Sequence, residues 1–425
     1  MDVTVKNTSR LSGVVSAPSS KAYTHRMLIA ASLSTGTSKI FNPLVSDDTN
    51  ATLEAIKALG AKVEQTDNCW TVHGQETPKT PAKPIDCRES GSTLRFIIPV
   101  AALAKGPSKF LFGASFARRP VSPLLESLKD LGVKSEIQED GSSVLIGGGG
   151  ILGGKTSIRG DISSQFISGL LFACPKAKED TEISVTTPLE SMGYVEMTLE
   201  VLVKHGIEGR VNPDFSRLLI HSNQNFVPCD HTVPGDFSSA AFLLAAAAVT
   251  SSKVTLQNLD YETPQGDRAI IEILNEMGAA VQISENSVEI EGGSLVGIDI
   301  DAKDIPDLVP VCAVLACYAE GRSEIYNAKR LRYKESDRLA SVTAELRKMG
   351  ADIKENDDGL TINGVCKLHG AKINPHNDHR IAMACAVAAL GAKGETKIQD
   401  VECINKSYPQ FFNDLRALGA NIVGI

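Results

Sequence analysis

A short signature recurs six times along this chain of 425 residues, and it limits the possible folds more than any other feature. It reads as an apolar residue or His, then Gly, then a strand-like run. The copies are LGAKV at Leu59, LGVKS at Leu131, HGIEG at His205, MGAAV at Met277, MGADI at Met349 and LGANI at Leu418, in steps of 72, 74, 72, 72 and 69 residues. Self-similarity at a fixed period means stacked copies of one supersecondary unit. The dozen residues ahead of each copy, such as TNATLEAIKALG and LASVTAELRKMG, space their apolar positions as an amphipathic helix does. The glycine then falls just past the helix end, where the backbone turns left-handed. Most copies continue into a polar turn between two alternating runs, as in AVQISENSVEIEG, which is a hairpin pattern.

Each unit also holds a second helix that is apolar nearly all round: LIAASL, LRFIIPVAALA, FISGLLFAC, AAFLLAAAAV, LVPVCAVLAC and IAMACAVAAL. A helix without a polar face must be buried. The expected fold is therefore α/β, built from six modules that each join one buried and one surface helix to strands. After Gly419 too few residues remain for a hairpin, whereas VTVKN and LSGVV lie unassigned ahead of the first buried helix. The N-terminal strands are expected to complete the sixth unit, so that the chain crosses twice between two halves of three units. The halves are residues 19–231, and residues 1–18 with 232–425.

Composition narrows the function. Lys plus Arg is 43 against 51 Asp plus Glu, a net charge of −8, with one Trp. A general nucleic-acid binder would show a basic excess and stacking aromatics. The nine scattered cysteines form no CxxC pair and read as reduced thiols of a cytoplasmic protein. No leader peptide is evident at the start, and the longest apolar run, Ala240–Val249, is too short to span a bilayer.

The starts of the buried helices are chemically alike: SSKAYTHR (Ser19–Arg26), ESGSTLR (Glu89–Arg95), DISSQF (Asp161–Phe166), PGDFSSA (Pro234–Ala240), KDIPD (Lys303–Asp307) and HNDHR (His376–Arg380). Their hydroxyls and carboxylates are ordinary N-caps. Capping has no use for the accompanying Lys21, Arg26, Arg95 and Arg380. Helix N-termini offer free amides and partial positive charge, so converging starts with added cations suit a ligand with several negative charges, phosphate above all. A different phosphate signal misleads. Gly149–Thr156 fits GxxxxGK[ST], but SIRGDISS follows where a helix is required, so it reads as a glycine-rich connection.

PSSKAYTHR, ESGSTLR, RRPVSPLLESL, SSQF, LESMGY, GDFSSAAFLLAAAA, IPDLVPVCAVLA, KESDRL, NDHRIAMA and NKSYPQFF together resemble the 3-phosphoshikimate 1-carboxyvinyltransferase family across essentially the whole chain. The resemblance implies an inside-out barrel of two lobes, each of three βαβαββ units with buried parallel helices. It implies a transferase of the shikimate pathway, serving chorismate and aromatic amino-acid biosynthesis. Such an enzyme moves the enolpyruvyl group of phosphoenolpyruvate to the 5-hydroxyl of shikimate 3-phosphate and releases phosphate. The route is addition then elimination, with no metal or organic cofactor, in a cytoplasmic monomer whose partners are these small molecules. Glyphosate is expected to compete with phosphoenolpyruvate.

Carried over residue by residue, Lys21, Gly91, Arg119, Gln165, Glu335, Arg338, Arg380 and Lys406 match phosphoenolpyruvate contacts. Lys21, Arg26, Ser163, Ser164, Gln165, Ser191, Tyr194, Asp307 and Lys334 match shikimate 3-phosphate contacts. Asp307 matches the acceptor of the hydroxyl proton and Glu335 the carboxylate serving the methylene carbon, while Lys21 assists phosphate departure. Fixed cations among these offset repulsion between the substrates, and arginine suits bidentate contacts to carboxylate and phosphate.

Duller explanations exist for single residues. Asp307 alone reads as an N-cap, Glu335 and Arg338 as a surface pair at i, i+3, and His376 with His379 as two possible metal ligands lacking the rest of a cluster. His379 reads better as a hydrogen-bonding residue of the cleft. Ala22, Glu89, Ser92, Met192, Gly193 and Arg330 depart from the commonest family pattern and put individual contacts in doubt. The alternative is the sister enzyme acting on UDP-N-acetylglucosamine, which typically carries a reactive cysteine ahead of an Arg-Pro pair. Here that loop is GASFARRP, and no cysteine occurs between Cys87 and Cys174.

Overall fold

A computed structural model describes residues 1–117, 119–138 and 141–424. Its contacts divide the chain into two compact units, Ser20–Val233 and Met1–Ser19 with Pro234–Ile425. Two strands come first, β1 (Val3–Lys6) and β2 (Ser12–Ser16). The Ser20–Val233 unit opens with α1 (Lys21–Ser32), β3 (Thr37–Phe41), α2 (Asp47–Ala58), β4 (Lys62–Thr66) and β5 (Cys69–His73). Its second module is β6 (Ile85–Asp86), α3 (Gly91–Ala101), β7 (Ser108–Leu111), α4 (Ser122–Asp130), β8 (Ser135–Ile137) and β9 (Ser143–Ile146). The third is β10 (Gly154–Ile158), α5 (Ser164–Ala173), β11 (Thr181–Val185), α6 (Met192–Lys204), β12 (Gly209–Val211) and β13 (Arg217–Ile220), followed by β14 (His231–Thr232).

The other unit continues with α7 (Phe237–Val249), β15 (Lys253–Gln257), α8 (Ile270–Glu276), β16 (Ala280–Ser284) and β17 (Ser287–Glu291). Then come β18 (Asp299–Asp301), α9 (Val309–Tyr318), β19 (Arg322–Tyr326), α10 (Arg338–Lys348), β20 (Asp352–Asn356) and β21 (Gly359–Asn363). The last module is β22 (Lys372–Ile373), α11 (His379–Gly391), β23 (Glu395–Ile398), α12 (Phe411–Ala417) and β24 (Ile422–Val423).

Within each unit the apolar helices lie inside and four-stranded sheets lie outside. Every residue of α7 from Phe237 to Ala248 is buried, as are all of α11 from His379 to Leu390. Such helices have nowhere else to go. The six signature glycines, from Gly60 to Gly419, all have positive φ at the ends of α2, α4, α6, α8, α10 and α12.

In four of the sheets the strand just before the buried helix runs parallel to the strand after it, as β6 does to β7 and β18 to β19. The two crossings break this rule. β14 pairs in parallel with β3, and β2 pairs in parallel with β15. Each crossing strand thus stays with the unit that the chain is leaving. This corrects the expectation that both N-terminal strands complete the sixth unit. Only β1 does, between β23 and β24, while the LSGVV run fills the edge of the fourth sheet that β14 has left open. Lys155 and Thr156 of the glycine-rich run lie in β10, a strand, so no phosphate-binding helix follows them.

Candidate active site

In the Ser20–Val233 unit, hydrogen bonds tie the starts of α1, α3 and α5 together. Ser20, Ser90 and Ser163 cap them through their side chains. Lys21, the first residue of α1, reaches Asp48 Oδ2 at 2.8 Å, and Thr93 Oγ1 in α3 donates to the Asp48 carbonyl. Gln165 in α5 donates through Nε2 to Ser92 Oγ at 2.9 Å, and its Oε1 accepts from Arg95 Nη1 at 2.7 Å. Ser164 is buried beside it. The Ser92 hydroxyl is the group that this contact uses.

Gly91 and Arg119 explain each other. The Arg119 guanidinium lies over the Phe116 ring, its central carbon 4.7 Å from the centroid, and Nη1 donates to the Glu89 carbonyl just ahead of α3. A Cβ on Gly91 would stand 2.2 Å from Arg119 Nη2. No side chain fits there while the arginine keeps its place. Arg118, the first arginine of the RRP string, lies outside the described residues.

Arg26 is placed differently from a surface ligand. It is buried against α6, with Nε donating to Thr198 Oγ1, Nη1 to the Ala22 carbonyl and Nη2 to the Tyr194 carbonyl, each at 2.8 Å. Burial pushes it down to about 10, which leaves it charged at neutral pH. Tyr194 is thereby fixed through its backbone. Ser191 precedes α6 with φ 57 and makes no side-chain cap, so its hydroxyl is not spent on the helix.

In the other unit Arg380 joins three helix starts. Its Nη1 donates to the Ser238 carbonyl in α7 at 3.2 Å, and its Nη2 to Asp307 Oδ2, ahead of α9, at 2.9 Å. Its own amide is capped by Asp378 at the start of α11. Arg338, only 1% exposed, donates through Nη1 to Asp307, through Nη2 to Glu335 and through Nε to Asp378, at 2.7, 2.7 and 2.8 Å. Lys406 Nζ lies 3.7 Å from Glu335, and Lys334 Nζ lies 4.0 Å from Asp307.

Two duller explanations fail on this geometry. Asp307 does not cap α9; Leu308 occupies that position and makes no side-chain cap, because the carboxylate is turned to Arg338 and Arg380. Glu335 and Arg338 do pair, but not on a helix surface. Glu335 precedes α10 and only a tenth of its side chain is exposed. Of the two histidines, His376 Nε2 pairs with the buried Glu345, and His379 is itself buried; no group of three possible metal ligands occurs among the described residues.

Electrostatics separates the groups. Burial pushes Asp307 up, but Arg380, Lys334 and Arg338 together hold it well below the ordinary carboxylate range. Burial pushes Lys334 down to about 8, although Asp307 opposes this. The sequence reading missed Asp378 and Asp48. A signal existed for one of them: Asp378 stands inside NDHR, beside a cation that a buried carboxylate can pair.

Repeated α/β modules that bring helix starts and cations together suit proteins that handle small polyanions. Carboxylates threaded among the cations add the means to move protons, which makes this an enzyme fold for such substrates. A family model for EPSP synthase (3-phosphoshikimate 1-carboxyvinyltransferase) matches residues 5–415, and the chain belongs to that family. It is 46% identical over 424 residues to the 3-phosphoshikimate 1-carboxyvinyltransferase of Methanocaldococcus jannaschii, covering 98% of each chain. It is 48% identical over 414 residues to the protein of that name from Methanocella arvoryzae, covering 96% of this chain and 97% of the other. The structure of an EPSP synthase from Acinetobacter baumannii superposes with a TM-score of 0.83 at 26% identity, covering 99% of both chains.

Proposed function

We infer that the chain transfers the 1-carboxyvinyl group of phosphoenolpyruvate to the 5-hydroxyl of shikimate 3-phosphate and releases phosphate. The observation that carries this is the family match over residues 5–415. The sister reaction on UDP-N-acetylglucosamine has no comparable support. Incubation with both substrates is expected to release phosphate only when both are present; release from ATP alone would overturn the reading.

The proposed chemistry follows the geometry. In the addition step the 5-hydroxyl oxygen bonds to C2 of phosphoenolpyruvate, its proton passes to Asp307, and Glu335 protonates the methylene carbon. In elimination Glu335 takes a proton back from the methyl carbon, the C=C bond re-forms as the C2–O bond to phosphate breaks, and the proton held by Asp307 leaves with the phosphate, beside Lys21. In the resting site Asp307 is a weak base, because Arg338 and Arg380 hold its charge. A substrate carboxylate or phosphate arriving at Arg380 competes for that guanidinium and makes Asp307 more basic when the hydroxyl proton must be taken. Gly91, Arg119, Gln165, Arg338, Arg380 and Lys406 are proposed to hold phosphoenolpyruvate. Arg26, Ser163, Ser164, Gln165, Ser191, Tyr194 and Lys334 are proposed to hold shikimate 3-phosphate. Lys21 and Asp307 belong to different units; residues 19–231, and 1–18 with 232–425, are the proposed lobes. A cytoplasmic monomer completes the proposal. Among the described residues no helix is long and apolar enough to cross a membrane.

A further inference from the structure

One buried carboxylate beside these groups has no part in the chemistry so far. Asp267 lies in the single turn Gly266–Ala269 ahead of α8 and is 1% exposed. Its Oδ2 accepts from Ser238 Oγ, while its Oδ1 is buried without a hydrogen-bond partner among the described residues. The groups facing it are Asp236 and Ser238 from the start of α7, Asp307 ahead of α9, Cys312 in α9 and Arg380 in α11. Its neighbours press the same place from both sides. Gln265 accepts from the Phe237 amide and donates to the Gly235 carbonyl. Gly266 packs so closely on the segment leading to Asp307 that a Cβ there would come within 2.8 Å of the Asp304 carbonyl oxygen.

We propose that Asp267 is a positioning residue for Asp307: it fixes Ser238, whose carbonyl orients Arg380, and it opposes the Asp307 charge across that arginine. The inference rests on Asp307 as the acceptor of the hydroxyl proton. Burial pushes Asp267 up to about 7, with Asp307 adding to the effect and Arg380 opposing it. Near neutral pH it is therefore part ionised. Two carboxylates facing one guanidinium raise each other's proton affinity. An ionised Asp267 makes Asp307 the stronger base, and a protonated Asp267 leaves Asp307 more tightly held by Arg380.

The test is the pH profile of kcat for the wild type, Asp267→Asn and Ser238→Ala, with both substrates at saturation. Wild-type kcat is expected to rise between about pH 6 and 8 as Asp267 ionises. Asp267→Asn keeps an acceptor for Ser238 but cannot ionise, so this rise should disappear and kcat at pH 8 should fall about tenfold, with both KM values within twofold. Ser238→Ala removes a hydrogen bond that favours the ionised form, so the rise should move to higher pH. This second variant keeps the test open if Asp267→Asn does not fold. A wild-type rise retained in Asp267→Asn, a loss confined to KM, or an unshifted rise in Ser238→Ala would each overturn the proposal. Failure of the underlying assignment looks different: Asp307→Asn would then retain wild-type kcat whatever the Asp267 variants do.

Discussion

Arg26 and Arg338 are both buried arginines beside helix starts, yet they are neutralised in opposite ways. Arg26 gives its three nitrogens to one hydroxyl and two carbonyl oxygens, and its charge faces Phe96 and Tyr194 rings. Arg338 gives its nitrogens to Asp307, Glu335 and Asp378. Arg95 and Arg119 resemble Arg26 in donating to neutral oxygens. Residues 20–233 carry 22 Lys and Arg against 23 Asp and Glu, so the unit as a whole is not basic. The difference is local: Arg26 is held by neutral oxygens, whereas Arg338 and Arg380 are set among carboxylates whose proton affinity they lower.

The largest effect should come from the carboxylate side. Asp307→Asn is expected to lower kcat by about 10²–10⁴-fold, the usual range for losing a general base, with KM values little changed. A loss below tenfold in steady-state assays would remove Asp307 from the proton traffic. Stability should separate the two arginines next. Arg338→Met leaves three carboxylates without their shared cation and should cost about 3–5 kcal/mol. Arg26→Met leaves only neutral acceptors unmatched, at about 1–3 kcal/mol. Urea unfolding of both variants checks the order; equal losses would erase the contrast.

Much of this was legible in the sequence because it depends on local pattern. The period, the glycines after each surface helix and the apolar helices determine the modules, since each rests on residues three to four apart. The partner of LSGVV was not legible, because a lone strand pattern with two buried residues, Leu11 and Val15, does not say which open sheet edge it fills. Lys21, Arg119, Asp307, Glu335 and Arg380 were legible from helix starts and strings. Asp267 was not: its meaning comes from Ser238 and Asp307, 29 and 40 residues away in sequence, and from burial that no short window records.

A smaller effect should test the Ser20–Val233 unit. Gly91→Ala places a methyl group 2.2 Å from Arg119 Nη2 and must displace the guanidinium. The KM for phosphoenolpyruvate should rise about tenfold, or ~1.4 kcal/mol of lost binding. The KM for shikimate 3-phosphate should stay within twofold. Equal rises in both would show that Arg119 does not discriminate between the substrates.

The smallest effect sets the two units against each other in acid. His205 and His231 share an Nε2–Nε2 contact of 2.8 Å inside the Ser20–Val233 unit, and burial pushes both down to about 4. Unfolded histidines titrate near 6.5, so between about pH 6.5 and 4 the unfolded chain binds more protons and this unit loses stability as pH falls. Asp267 has the opposite sign. Its folded value of about 7 lies above the unfolded 3.8, so its contribution is full below pH 3.8 and is lost as pH rises through 7. Trp70 is the single tryptophan and lies buried in β5, so its fluorescence reports the Ser20–Val233 unit alone. Its urea midpoint should fall between pH 7 and 4.5, and replacing both histidines with Asn should flatten that fall. Hydrogen exchange across α7 and α9 should show the other unit holding its protection better over the same range. Parallel losses in both units, unchanged by the His variants, would mean that carboxylate pairs dominate the acid response throughout.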